Sequence, residues 1–210
     1  SLINDVLDMS KIEAGQTQLV NISFDLYRLL DGLEEMFQLR AGDKGLQLAF
    51  ERSQNVPQYV FADEGKLRQV LINLLSNGIK FTDSGSVILR ADAKKGSEIR
   101  LEFEIEDTGL GISSEEQASL FDAFVQTSSG QRTQEGTGLG LPISQEYVRL
   151  MDGEIQVESE AGNGSIFRFH ILASHGVVKD VKDDRPNRRV VSLAPDQKAI
   201  RVLVVEDRLE

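Results

Sequence analysis

Apolar positions recur along this chain with a helical period in some stretches and a strand period in others. Leu2, Val6 and Met9 fall four and three apart with Ile3 and Leu7 beside them, which predicts an N-terminal helix stopped at Gly15. Leu26, Leu29, Leu30, Leu33 and Phe37 share one side of a helix expected over about 25–40, and residues 46–50 alternate as a strand. The longest periodic segment, 63–81, carries Leu67, Val70, Leu71, Leu74 and Leu75 as a wide buried helix face. Strand patterns follow. Val87, Leu89 and Ala91 alternate with polar neighbours, and Ile99, Leu101, Phe103 and Ile105 alternate with Arg100, Glu102, Glu104 and Glu106. The turn residues Lys94-Lys95-Gly96-Ser97 join these into an antiparallel hairpin with one face towards a core. Residues 126–136 contain almost nothing apolar and predict a long loop, of the kind that serves as a lid. A helix over about 141–151 tolerates Pro142 in its first turn, and strands around Ile155 and Val157, then Phe167, Phe169 and Ile171, complete the pattern.

Past Ser174 the character changes. Residues 175–198 are polar and hold Pro186 and Pro195, as a linker would, and Ile200–Asp207 opens with an unalternated apolar run suited to a strand buried on both faces. The expected organisation is therefore a helix end at 1–20, a domain at 21–174, a linker at 175–198 and the start of another unit at 199–210. The 210 residues, 40% hydrophobic and 27% charged, fit one medium domain with appendages. No cysteine is present, which excludes disulfides and thiolate metal sites. A net charge of −11 disfavours nucleic acid and anionic membranes, so a polyanion could be held only locally, by backbone amides, a metal ion and a few cations. No apolar run reaches 18 residues, and the N-terminus lacks a signal peptide's pattern; it reads as a chain entered in mid-helix.

Candidate chemistry sits in four short motifs. On the 63–81 helix, Asn73, Asn77 and Lys80 fall within roughly 60° of one another at the edge of the apolar face. They fit either a polar surface stripe or hard oxygen ligands for Mg²⁺ beside a phosphate-binding ammonium. Strand 99–106 runs into Asp107-Thr108-Gly109-Leu110-Gly111-Ile112, read as an ordinary turn or as a carboxylate placed to accept from an amino group. Gly136-Thr137-Gly138-Leu139-Gly140-Leu141, just before a helix, can form a backbone-amide concavity for phosphate. Gly162-Asn163-Gly164-Ser165-Ile166-Phe167 is the fourth. No Walker-type G-x-x-x-x-G-K-S/T is present, and no strand leads into the glycine loop as a dinucleotide-binding unit requires.

In this order the four motifs resemble the N box and glycine boxes of the histidine kinase catalytic domain, and Leu120-Phe121-Asp122-Ala123-Phe124-Val125-Gln126 resembles that family's phenylalanine box. The resemblance runs over about 22–172. It implies a two-layer α/β sandwich of the Bergerat type, a mixed and largely antiparallel sheet with helices on one face. It also implies that Asp107 contacts the adenine amino group in a pocket shaped by Gly109, Gly111, Ile112, Phe121 and Phe124. Asn77 would coordinate Mg²⁺ with help from Asn73, and Lys80 would reach the phosphates of ATP. Gly136, Thr137, Gly138, Leu139, Gly140 and Leu141 would cradle those phosphates beneath the 126–136 lid, whose Arg132 aligns with an arginine that approaches the γ-phosphate. Asn73 and Arg132 are the catalytic candidates on this reading. Three positions depart from the family pattern: Gly78 for alanine, Lys66 for arginine, and Glu135 for glycine beside the phosphate loop. Gly78 is expected to lower helix propensity without touching the pocket, and Glu135 to weaken ATP binding if it points inward.

By the same resemblance, residues 1–15 look like the end of the second dimerisation helix, and Val202–Asp207 like the first strand and acidic pair of a receiver domain. The parent would be a hybrid kinase, homodimeric and facing the cytoplasm, with a response regulator downstream. The phosphoacceptor histidine is missing: His170 is expected on the solvent side of its strand and His175 at the start of the linker. Two other readings remain, an ATPase clamp and a non-catalytic nucleotide-binding module. Asn73 stands where the related clamps carry a water-activating glutamate.

Overall fold

In the computed structural model, residues 2–96, 98–125 and 137–177 are described. The elements run α1 (Leu2–Glu13), β1 (Ile22–Asp25), α2 (Leu26–Asp43), β2 (Gln47–Arg52), β3 (Tyr59–Ala62), α3 (Glu64–Phe81), β4 (Ser86–Lys95) and β5 (Ile99–Asp107). They continue through α4 (Ser114–Gln117), α5 (Gly140–Leu150), β6 (Glu154–Ser159) and β7 (Ser165–His175). The seven strands form one sheet in the order β1-β3-β7-β5-β4-β2, with β6 pairing β7. Only the β2–β4 pair is parallel among these neighbours. The chain reaches β4 from β2 by way of β3 and α3, the long connection a parallel pair needs.

Alternation explains the two layers. Ile99, Leu101, Phe103, Ile105 and Asp107 of β5 are buried, and Phe167, Phe169, Ile171 and Ala173 of β7 meet them in register. Phe103 and Phe169 stack with centroids 4.9 Å apart. Against this face pack Leu26, Leu29, Leu33 and Phe37 of α2, Leu67, Leu71, Leu74 and Leu75 of α3, and Ile143 and Val148 of α5. The opposite face is open and carries a lattice of charge. Arg90 reaches Glu51 and Glu104, and Arg168 reaches Glu104 and Glu158. Burial opposes the charge on Glu104, but the two guanidiniums hold its carboxyl below the usual range.

The helix ends show why the elements start and stop where they do. Asp25 and Asp63 cap α2 and α3 by accepting from Arg28 N (3.1 Å) and Lys66 N (2.9 Å), and Ser113 and Glu116 form a reciprocal capping box on α4. Gly15, at φ +63°, ends α1 in a Schellman turn, with Gln16 N donating to Lys11 O and Gly15 N to Ile12 O. The last carbonyls of α3 are satisfied from outside: Lys44 Nζ, just past α2, donates to Ile79 O (2.8 Å), Lys80 O (2.9 Å) and Thr82 O (3.1 Å). A cation at the negative end of a helix dipole is favourable as well as geometrically apt.

Two strands, β1 and β3, were not anticipated from the sequence pattern. They are four residues each, too short for alternation to register. His175 ends β7 opposite Val60 instead of opening a linker. The expected 126–136 lid and the strand at 199–210 lie outside the described residues.

Replacing Lys44 with methionine removes the three-carbonyl contact and keeps the stem. We expect a loss of about 1 kcal/mol, read as a lower urea midpoint with unchanged slope. A midpoint equal to wild type would show that water serves these carbonyls as well as the ammonium does.

Candidate functional site

The site lies where β5 and β6 end and β7 begins, beneath the C-terminus of α3. Asp107 occupies the last inward position of β5, so the strand period that buries Ile105 also buries a carboxylate, at 7% exposure. Its Oδ1 accepts from Gly109 N (2.9 Å), and Ser165, its register partner on β7, supplies further hydrogen bonds. Among the described residues no cation is paired with it. Burial outweighs these hydrogen bonds and pushes the Asp107 carboxyl up from its ordinary value of 3.8.

Glycines let the backbone close around this group. A side chain on Gly109 would collide with Phe81 O and come within 2.8 Å of both Asp107 Oδ1 and Thr82 Oγ1. Gly164, at φ +85°, lies directly on Asp107 O, and Gly111, at φ +66°, on Glu160 O. Ser159 ties these turns together: its hydroxyl accepts from Ile112 N (2.8 Å) and donates to Gly164 O (2.8 Å). Buried Thr82 donates to Gly78 O at 2.7 Å, which closes the last turn of α3 over the same region.

The second glycine loop meets the phenylalanine-containing turn. Phe124 N donates to Gly138 O (3.1 Å), and Gly138, at φ +69°, would place a methyl 2.8 Å from the Phe124 carbonyl carbon. Phe121 is partly buried against the core, whereas Phe124 is 67% exposed and held at φ +64°. Leu139 is fully buried and makes no side-chain cap on α5; with Pro142 in the first turn, the N-terminus of this helix keeps its partial positive charge for a ligand. Thr137 Oγ1 instead accepts from Leu139 N at 3.1 Å, folding the loop over itself. Leu141, partly buried, packs on the core.

On α3, Asn73 and Asn77 are both partly buried. Asn73 Nδ2 donates to Ser144 Oγ of α5 (2.9 Å), and its Oδ1 fills the space where Gly140 would otherwise carry a Cβ. This side chain is thus a brace between the two helices that flank the loop. Lys80 Nζ stands 5.0 Å from the Phe81 ring centroid. Gly78 lies closer to the pocket than expected: a methyl there would sit 3.6 Å from Asp107 Cβ and 3.2 Å from Val87 Cγ1. Lys66 pairs with Asp63 (2.8 Å) at the start of α3, far from the loop motifs in sequence. His170 Nδ1 is 3.1 Å from Arg100 Nη2 on the open sheet face, where burial and then Arg100 pull its pKa down. Arg132, Glu135 and Gly136 lie outside the described residues.

Ser144, Ser159, Ser165 and Thr82 were not singled out from the sequence. Ser144, Ser159 and Ser165 act through partners brought in by helix packing or strand register, and Thr82 through a carbonyl four residues back in α3; a serine or threonine alone carries no signal for either.

Residues 62–175 match the family model for histidine kinase-, DNA gyrase B- and HSP90-like ATPases. The chain belongs to this ATPase family. Over 173 residues, 81% of its length, it is 40% identical to hybrid signal transduction histidine kinase B of Dictyostelium discoideum, covering 9% of that protein. Over 209 residues, 99% of its length, it is 38% identical to the aerobic respiration control sensor protein ArcB of Escherichia coli, covering 26% of it. The chain therefore spans well under a third of these curated relatives. Full-length ShkA in complex with AMPPNP has a similar structure over 84% of this chain and 36% of that one, at TM-score 0.73 and 36% identity. The catalytic domain of histidine kinase ThkA matches over 74% of this chain and 96% of its own, at TM-score 0.59 and 27% identity. The ATPase family's fold, with a largely antiparallel sheet and helices on one face, is the one described above.

A raised carboxyl pKa has a direct consequence for stability. Asp107 costs the empty domain stability while it is charged; as pH falls through its raised folded value towards 3.8, that cost disappears. Asp107→Asn should therefore leave the unliganded domain at least as stable as wild type at pH 7, with the two melting temperatures converging as pH approaches 4. A variant less stable than wild type at neutral pH would contradict this. Gly164→Ala, by contrast, should lose more than about 2 kcal/mol, because it combines positive φ with a backbone collision.

Proposed function

We propose that this chain is the ATP-binding catalytic portion of a hybrid sensor histidine kinase, which binds Mg-ATP and passes the γ-phosphoryl group to a histidine on dimerisation helices. The observation that supports it best is Asp107, a buried carboxylate without a cation partner among the described residues, at the end of an apolar strand face. A buried acceptor of this kind fits a flat, apolar ligand that brings its own N–H donor, as the adenine amino group does.

The chain's other residues divide the remaining work. Gly109, Gly111 and Ile112 shape the base pocket with Phe121 and Phe124, and backbone amides of Gly138 and Gly140 face phosphate with the help of the α5 dipole. Gly136 and Arg132 take the phosphate and γ-phosphate roles implied by the family pattern. Asn77 offers a hard amide oxygen suited to Mg²⁺. Among the described residues no cluster of three or more acids or histidines could hold a metal ion, so the metal fits this site as part of a metal–nucleotide complex. Bound in that way, it would offset charge on the phosphate oxygens. Asn73, through Ser144 and Gly140, holds α3 and α5 in fixed relation, so that Asn77 and the loop amides face the same ligand. Lys80 would reach the phosphates, the role the family pattern implies for it.

On this reading α1 is the end of a dimerisation helix, the phosphoacceptor histidine lies on helices upstream, and a receiver begins near Ile200. The parent is a homodimer whose catalytic part faces the cytoplasm. Among the described residues no helix is long and apolar enough to cross a membrane. An amide rather than a carboxylate at Asn73, already engaged with Ser144, argues against water activation as the main chemistry.

Mixing this chain with dimerisation helices bearing a histidine, in the presence of γ-labelled ATP, should label the added histidine. ATP binding without label transfer would leave a nucleotide-binding module and remove the kinase reading. Asn77→Ala should weaken ATP binding at least about tenfold in Mg²⁺ calorimetry and leave adenosine binding unchanged. An equal loss for both ligands would remove the metal role from Asn77.

A further inference from the structure

Helix α1 lies along the flank of α3 and α5 and carries one aspartate into contact with them and another into contact with the loop before α5. Asp8 accepts from Gln69 Nε2 of α3 (3.3 Å) and from the hydroxyl of Tyr147 of α5, which is 5% exposed. Burial, and then the charges of Asp8, Asp63 and Asp5, raise the Tyr147 phenol well above its ordinary range, so it stays a donor. The chain after α1 is fastened at the same place. Val20 N donates to Asp63 Oδ2 (2.8 Å), and Lys66 Nζ donates to Gln18 O (2.8 Å). Met9 and Ile12 pack against the core, while Ile3, Val6 and Leu7 are exposed. Polar contacts therefore hold much of this helix in place.

One of these contacts reaches the candidate site. Asp5 Oδ2 accepts from Thr137 Oγ1 (3.3 Å), and the same hydroxyl accepts from Leu139 N (3.1 Å) inside the glycine loop. A full negative charge is thus bonded to the loop whose amides and helix dipole favour an anion. Two anions cannot share that loop without repulsion, and Thr137 has only one proton to donate. We propose that docked α1 and a bound phosphate chain oppose each other: Asp5 acts as an internal competitor, so that nucleotide binding loosens α1 and release of α1 tightens nucleotide binding. The inference rests on phosphate occupying the glycine loop, as in the function proposed above. The coupling is reciprocal, so it can be read from either side.

Calorimetry on the full chain with Mg-ATP and with adenosine, for wild type, Asp5→Asn and Asp8→Ala, tests it. Asp5→Asn keeps an acceptor for Thr137 and removes the charge; it should tighten ATP binding by about fivefold and leave adenosine unchanged. Asp8→Ala frees α1 without touching the loop and should tighten ATP binding as well. The double variant should gain less than the product of the two single effects. Amide hydrogen exchange of residues 3–13 should quicken when wild type binds ATP, and change less in Asp5→Asn. Unchanged or weaker ATP binding in Asp5→Asn would overturn the proposal, as would slower exchange of α1 in the ATP complex. Failure of wild type to bind ATP, or equal binding of ATP and adenosine, would instead fall on the phosphate reading itself.

Discussion

The period of β5 is the constraint on which the site depends. Successive side chains on a strand alternate between faces, so burying Ile99, Leu101, Phe103 and Ile105 commits residue 107 to the same buried face. That residue is an aspartate. A carboxylate at the end of an apolar row costs the empty domain stability, and the structure meets the cost with two backbone turns instead of a cation. Gly109 N–H and the backbone and hydroxyl of Ser165 donate to it, while Gly164 packs on the Asp107 backbone and Ser159 holds that turn. A paired cation would neutralise the acceptor; hydrogen bonds from backbone and hydroxyl groups leave part of it for a ligand.

The same alternation made most of the fold legible before the structure. The rows on β4, β5 and β7 and the wide faces of α2 and α3 are long enough for period to separate strand from helix, and Pro142 and Gly15 mark ends by local chemistry. β1 and β3 were not legible because four residues hold barely two alternations, and their place is set by pairing with each other and with the end of β7. In the site, the motif residues were legible because glycine at fixed spacing reports close backbone approach. Their supports were not. Ser144 and Ser165 matter only through Asn73 and Asp107, and both contacts join segments far apart in sequence. Lys44 is similar: nothing in its neighbourhood announces that its ammonium will close a helix 35 residues away.

Asn73 shows how geometry changes a role that residue type suggested. An amide one turn before Asn77 on a helix suits metal coordination on paper. In the fold its nitrogen is bonded to Ser144 and its oxygen rests over Gly140, so the side chain sets the spacing between α3 and α5. Gly78 shifts in the opposite direction. On the helix it looks like a simple loss of propensity, yet it lies against Val87 and beside Asp107, where a larger residue would press on the base of the pocket.

A chain of net charge −11 that holds a polyphosphate must separate its own acids from the ligand or use them. On the function proposed above, the groups offered to phosphate near this loop are uncharged: glycine amides, the N-terminus of α5, and the amide oxygen of Asn77 on α3. Among the described residues, the acid bonded to the loop is Asp5 of α1, a helix attached to the rest by polar contacts, by Met9 and Ile12, and by the segment that follows it. An acid fixed on the rigid sheet would repel phosphate under all conditions, whereas one on a separately docked helix repels it only while that helix is in place. That difference turns an unfavourable charge into a quantity that movement of α1 can adjust.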